Sequence, residues 1–412
     1  MPSVAAIVIG AGQAGLAMSY CLSQRRIEHI LLERGRIAER WLTERWDSLR
    51  LLTPNWMTRL PGWSYAGDDP DGFMPSEAFA AYLAGYAASA GAPVEHDTTV
   101  LSVRRTGSNF HVITSGETWH SQAVVIATGH CDVPVVPAMA NALPAMIEQI
   151  TSANYRNPRT LPGGSVLVVG GSAAGVQLAD EIRRSGREVY LSTGRHTRLP
   201  RHYRGRDVWW WLEQTGLLDE PLDDAAILER ARRAPSFQLV GRPDRATLDL
   251  GTLHAAGVHV LGRARGADGG RLLLQQDLPE TTTSAQSALE RLLQRFDALA
   301  MAGTPLDAAD AARVITLPPA PAMLDLSRAG VGCVIWATGY WRDYSWLHIP
   351  VFDAAGEVVH DGGITSVPGL YVLGLRAMRR RRSNFIDGVG RDADELAAHL
   401  SRAVGRRCRA AA

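Results

Sequence analysis

Two segments of the chain join a short apolar run to a glycine-rich turn, a combination suited to cradling a phosphate. Val4–Ile9 reads as a buried parallel strand and leads into Gly10-Ala-Gly12-Gln13-Ala14-Gly15, then into a helical pattern through Leu16, Tyr20 and Leu22. Gly10 permits the tight turn and Gly12 lets the backbone approach a pyrophosphate. Gly15 lets helix and strand pack closely, and the helix N-terminus faces the phosphate charge. A second strand over 29–32 ends in Glu33, followed by Arg34. A carboxylate there can accept both hydroxyls of an adenosine ribose. Strand, loop, helix, strand and acid together predict a dinucleotide site.

The second occurrence begins at Ser165–Val169 and runs through Gly170-Gly-Ser172-Ala173-Ala-Gly175, a helix from Val176 to Ser185 and a strand over 188–191. Ser172 stands where the second glycine belongs; its hydroxyl crowds a phosphate slightly but can donate to it. No acid closes this strand. The chain reads Ser192-Thr-Gly-Arg195-His196-Thr-Arg198 instead, and guanidinium forks without a repelling carboxylate suit a 2′-phosphate. The expected nucleotide is NADPH rather than NADH. Two nucleotide domains in one chain imply that one holds a flavin and the other feeds it hydride. Ala127-Thr128-Gly129 and Ala337-Thr338-Gly339 each end an apolar strand, as expected where the chain passes between two such domains.

The elements that position these residues form an α/β fold with two Rossmann-like dinucleotide-binding domains. The expected boundaries are 1–162 for the first part of a flavin domain, 163–331 for an inserted NADPH domain with a helical insertion near 281–313, and 332–412 for the returning flavin part. Hydrophobic residues at 46% and charged residues at 21% suit large buried cores. The net charge of +1 argues against nucleic acid or an anionic membrane as partner. All 43 basic residues are arginine; without lysine, pyridoxal enzymes, Schiff-base aldolases and P-loop nucleotidases are excluded. The four cysteines and twelve histidines are scattered, with no CxxC pair and no metal-ligand spacing. No apolar run approaches a membrane span and no signal peptide is evident, so a soluble, cytoplasmic protein is expected.

These motifs resemble a class B flavin-dependent monooxygenase of the flavin-containing monooxygenase superfamily, in the bacterial branch labelled as cation-transport-associated. The resemblance spans Gly10–Gly15, Glu33-Arg34, Trp41 to Pro61, Ala127–Gly129, Tyr155-Arg-Asn-Pro158, Gly170–Gly175, Ala337–Tyr340 and Pro368–Gly374. It implies FAD on the first fingerprint and NADPH on the second, with Trp41 and Thr53 in the stretch that passes over the flavin. It implies that reduced flavin and O2 form a C4a-(hydro)peroxide, which passes one oxygen atom to a small organic substrate. The family's FxGxxxHxxx(Y/F/W) motif is reduced to Tyr155, with Thr151 at the histidine position, and Leu52 replaces an asparagine placed by the flavin. The Baeyer–Villiger form ending in Trp is absent, so oxygenation of nitrogen or sulfur leads. By the same resemblance Arg376–Gly390 returns to the flavin, with Asn384 and Asp387 as the groups facing its ring.

Two segments carry further expectations. Trp209-Trp210-Trp211 on a helix spread too widely for one core face, so at least one should meet a ligand, another domain or a homodimer partner. The 281–313 insertion would cap the site or make a dimer contact. Two rival functions remain at this point: an NADPH oxidase or dehydrogenase on the same scaffold without oxygen insertion, and a non-catalytic redox-sensing flavoprotein.

Overall fold

The computed structural model describes residues 1–300, 307 and 313–411, with side chains through 404. Two sheets organise them. The first has nine strands, and its parallel centre places Ser3–Ile9 between Thr118–Ile126 and His29–Leu32. Leu370–Val372 runs parallel on the far side of Thr118–Ile126. Ser3–Ile9 is apolar and buried from Ala6 to Ile9 because both faces are covered there. Ala6 and Val8 face the helices Gln13–Gln24, Ser76–Ala90 and Val389–Ala411, while Ile7 and Ile9 face a second core that includes the hairpin residues Val103, Phe110 and Val112.

The second sheet repeats the arrangement with five parallel strands, ordered Glu148–Thr151, Val331–Trp336, Ser165–Val169, Val189–Ser192 and His259–Leu261. Val166 and Val168 pack toward the helix Ala173–Arg184, and Leu167 and Val169 toward the opposite core. This sheet is wider than the expected 163–331. Glu148–Thr151 lies before that span and Val331–Trp336 runs past its end, yet both are hydrogen-bonded members. The strand leading to Ala337-Thr338-Gly339 therefore belongs to the second unit, not to the returning part of the first. The two crossings lie side by side: Val133–Pro134 pairs antiparallel with Tyr340–Trp341, and the Val135 N–H donates to the Gly339 carbonyl at 2.9 Å.

The predicted insertion is a helix over Leu278–Ala300; residues 301–306 and 308–312 of the expected segment lie outside the described residues. Leu289, Leu293 and Phe296 bury one face, and Phe296 stacks on Trp211 with centroids 5.3 Å apart. Trp211 sits on the helix Val208–Gln214, whose first turn is capped by the Asp207 carboxylate accepting the Trp209 N–H at 2.9 Å. Trp209 and Trp211 are buried and Trp210 is half-buried beneath Arg206. No helix among the described residues is long and apolar enough to cross a membrane.

Candidate active site

The two glycine loops are built alike. Gly10 and Gly170 have φ of +103° and +116°, a left-handed region that costs glycine little. Each also lies under a carbonyl: a Cβ on Gly10 would stand 2.8 Å from the Ala127 oxygen, and one on Gly170 2.3 Å from the Ala337 oxygen. The repeated Ala-Thr-Gly strand ends thus pack directly on the two turns. Gly15 and Gly175 would drive a Cβ to 1.9 Å and 1.6 Å from the carbonyls of Gly10 and Gly170, so the third glycine is required for helix–strand contact.

The middle position differs in another way. Gly12 (φ −83°, ψ −172°) and Ser172 (φ −86°, ψ −170°) share one extended backbone that any residue adopts. A Cβ at Gly12 would meet no protein atom within 4 Å. The space above it is open, a cradle of the kind a phosphate would fit. The Ser172 hydroxyl makes no capping bond to its own helix, which leaves it free to donate.

A cavity of about 1260 Å³ opens above the first loop. Of the residues named from the sequence, Gly10, Gly12, Gln13, Ala14, Glu33, Arg34, Trp41, Thr53, Ala127, Thr128, Gly129 and Asn384 line it. The Glu33 carboxylate is aimed by two backbone donors, Ala11 N–H at 2.7 Å and Gly35 N–H at 3.2 Å. Gln13 Nε2 donates to the Asn384 carbonyl at 3.1 Å, joining the loop to the C-terminal segment. Leu52 also lines the cavity; its carbonyl accepts from Arg201 Nη1 at 2.8 Å and Trp209 Nε1 at 2.9 Å. The Trp triplet therefore does meet the site through Trp209, which also contacts Phe385 edge to face at 5.5 Å.

Several expected residues are engaged elsewhere. Asp387 does not line the cavity; its buried carboxylate is held by Arg382 at 2.9 Å and Arg59 at 3.2 Å. Burial pushes its pKa up while both guanidinium groups pull it down. Arg198 is spent on Asp249 at 2.8 Å, with both side chains buried, so it presents no free fork to a phosphate. Ser192 turns inward, donating to the Gly262 carbonyl and accepting the Ala264 N–H, each at 2.9 Å. His196 is buried, with Nδ1 on the Gly194 carbonyl at 3.0 Å and Nε2 without a partner. Thr338 donates to the Val135 carbonyl at the crossing, and Ala173 opens its helix.

Arg195 was named from the sequence, whereas Arg263, His130 and Cys131 were missed. Arg195 is exposed, and Arg263 approaches the same loop, close enough that a Cβ on Gly194 would stand 2.5 Å from its Nε. Arg263 follows His259–Leu261, the neighbour of the strand ending at Ser192; only the strand order brings it there. His130 and Cys131 directly follow Gly129 and line the cavity. Burial, then the positive charges of Arg376, Arg342, Arg45 and Arg40, press the His130 pKa down to about 4, leaving it neutral at pH 7. Burial raises the Cys131 thiol and lifts Cys21 and Cys333 to about 12, so these three remain thiols.

A family model for pyridine nucleotide-disulphide oxidoreductases matches residues 7–206. An uncharacterized CzcO-like oxidoreductase of Geobacillus kaustophilus is 34% identical over 393 residues, covering 95% of this chain and 96% of the relative. The chain belongs to the CzcO-like oxidoreductases. A probable indole-3-pyruvate monooxygenase of Arabidopsis thaliana, YUCCA10, is 30% identical over 211 residues, covering 49% of this chain and 54% of the relative. The solved flavin-containing monooxygenase of Stenotrophomonas maltophilia shares the fold, with TM-score 0.67, 21% identity and coverage of 98% and 99% of the two chains. In this CzcO-like oxidoreductase Cys131 is the one cysteine lining the cavity among the described residues.

Proposed function

We propose that the protein is an FAD- and NADPH-dependent monooxygenase acting on nitrogen or sulfur of a small organic substrate. The observation that carries this reading is the continuity of the cavity. It runs from the first glycine loop and Glu33, past Leu52 and Asn384, to walls supplied by the second unit at Trp209, Phe237 and Leu292. At the near end Glu33 would hold the adenosine of FAD and the Gly12 turn its pyrophosphate, with Asn384 lining the same cavity; the flavin would supply the two-electron relay between NADPH and O2. The overall change is NADPH, a proton, O2 and a sulfide or amine giving NADP+, water and the S- or N-oxide.

The chain's own residues bind, orient and exclude water. Gln13 fixes the distance between the glycine loop and the 384 segment. Arg201 and Trp209 pin the Leu52 carbonyl, so the strip facing the ring cannot drift. Trp209 and Phe385 close an apolar wall that keeps water from the reacting atoms. On the second loop, Gly170 and Gly175 set the turn, the free Ser172 hydroxyl donates to the pyrophosphate, and Arg195 with Arg263 hold the 2′-phosphate.

The test is stoichiometry. The yellow protein is given NADPH and oxygenated buffer with a panel of sulfides and amines, and oxide is counted against hydrogen peroxide. Oxide matching NADPH consumed supports the reading. Quantitative peroxide with every substrate replaces it with an oxidase. Failure of NADPH to bleach the flavin removes both.

A further inference from the structure

The cavity, at about 1260 Å³, exceeds the roughly 300–1,000 Å³ of a usual small-molecule pocket, and its acids gather at one end, beside Arg34, Arg40, Arg45 and Arg376. The acids that line it, Glu33, Glu39, Asp132 and Asp343, all come from the first unit. At the opposite end Phe237, Leu292 and Phe385 are only partly buried and leave apolar surface uncovered. No acid lines that end, but Arg230 and Arg291 do.

Both arginines are solvent-exposed. Arg233 holds Glu229 and Arg295 holds Glu220, whereas neither Arg230 nor Arg291 has a carboxylate partner among the described residues. On the helix Leu278–Ala300, Ala288, Arg291 and Leu292 share one face by spacing and all line the cavity. On Ala225–Arg233, Arg230 lines it together with Ala231. An apolar chamber beside unpaired guanidinium groups is complementary to an amphipathic anion. The fork geometry of arginine suits a carboxylate in particular.

We propose that Arg230 and Arg291 bind the carboxylate of an apolar, aromatic-sized substrate whose body lies against Phe237, Leu292 and Phe385. This deepens the reading above and rests on it for the reaction, not for the binding. Selectivity comes from the arginines and turnover from the flavin end, so the two separate experimentally.

The probes are (phenylthio)acetate and its uncharged counterpart thioanisole, titrated into the FAD-loaded protein. Binding is read from quenching of tryptophan fluorescence, Trp209 being in the wall, and turnover from the sulfoxide formed with NADPH and O2. The acid is expected to bind about tenfold or more tighter than the neutral sulfide, the worth of one charge-assisted contact. In Arg230→Ala/Arg291→Ala the preference falls to near parity, with FAD content, thioanisole affinity and the KM for NADPH unchanged. Equal binding of the two probes by the wild type overturns the proposal, as does failure of both to bind. Parallel loss of NADPH and both probes in the double variant also overturns it, since the arginines would then serve the nucleotide. Preferential binding of the acid without sulfoxide upholds the anion site and refutes oxygen transfer.

Discussion

Alanine at Gly12 and at Gly15 should fail for different reasons, and the pair tests how the first loop works. Gly12 already has a backbone open to any residue, and its added Cβ meets no protein atom within 4 Å. The flavin-free Gly12→Ala protein should keep its stability or gain about 0.4–1 kcal/mol from a less flexible unfolded chain. Its methyl nevertheless occupies the space of the pyrophosphate. Displacing that group from the helix N-terminus forfeits one or two charge-assisted hydrogen bonds at about 1.5–3 kcal/mol each, an increase of roughly 10- to 10⁴-fold in the Kd for FAD. Gly15→Ala instead puts a Cβ 1.9 Å from the Gly10 carbonyl oxygen. Strand and helix must separate, at about 1–3 kcal/mol or more for overpacking, so this variant loses flavin-free stability as well. The assay is thermal unfolding of flavin-stripped protein with and without FAD, beside titration by flavin fluorescence; the shift in Tm reports affinity. A folded Gly12→Ala protein that binds FAD within a few-fold of wild type would refute the cradle.

Arg195→Ala and Arg263→Ala should each raise the KM for NADPH by about tenfold or more while leaving that for NADH unchanged; steady-state kinetics with both nucleotides decides. Arg198→Ala strands the buried Asp249 and should cost about 3–5 kcal/mol in stability; an unfolding curve like that of wild type would show that Arg198 is not the structural arginine described. Acid should destabilise the protein through His130 and His360, both depressed from 6.5 to about 4. Between those values the unfolded chain takes up protons that the folded chain refuses, so stability rises with pH from about 4 to 6.5 and levels above. His130→Gln should flatten that slope by at most about 1.4 kcal/mol per pH unit. Comparing variant with wild type across pH cancels the raised carboxyls of Asp387 and Asp392, which act with the opposite sign.

The readable parts of the sequence were those whose meaning is local. A buried strand, a turn and a helix within about fifteen residues carry their own geometry, and both fingerprints formed as spaced, down to the substitution at Ser172. The duplicated Ala-Thr-Gly was legible as a crossing, because the packing of Ala127 on Gly10 recurs as Ala337 on Gly170. Strand membership was not. Glu148–Thr151 has no fingerprint of its own, and pairing with Val331–Trp336 is settled by register across long sequence separation. Arginine partners were hidden for the same reason. Arg198 looked available beside Arg195 because Asp249 is distant in sequence; of the two arginines that hold Asp387, Arg59 is more distant still, while Arg382 is local.

Gly12 and Ser172 show what that hidden layer does to function. Their backbones coincide within a few degrees, so strand and helix cannot tell the first loop from the second; only a Cβ and a hydroxyl differ. What separates the two sites is the chain around them. The first loop faces a carboxylate aimed by Ala11 and Gly35 and opens into a cavity walled partly by the other unit. The second is followed by an exposed Arg195 with Arg263 beside it from the next strand. A duplicated scaffold thus supplies two equivalent glycine turns, and under the proposed function the charge closing each second strand would assign the adenosine end that each accepts. The chemistry then depends on the segments that join the two units: Leu52 pinned by Arg201 and Trp209, and Asn384 tied to Gln13. A substitution that loosens those ties should leave both nucleotides bound yet uncouple NADPH consumption from oxide formation.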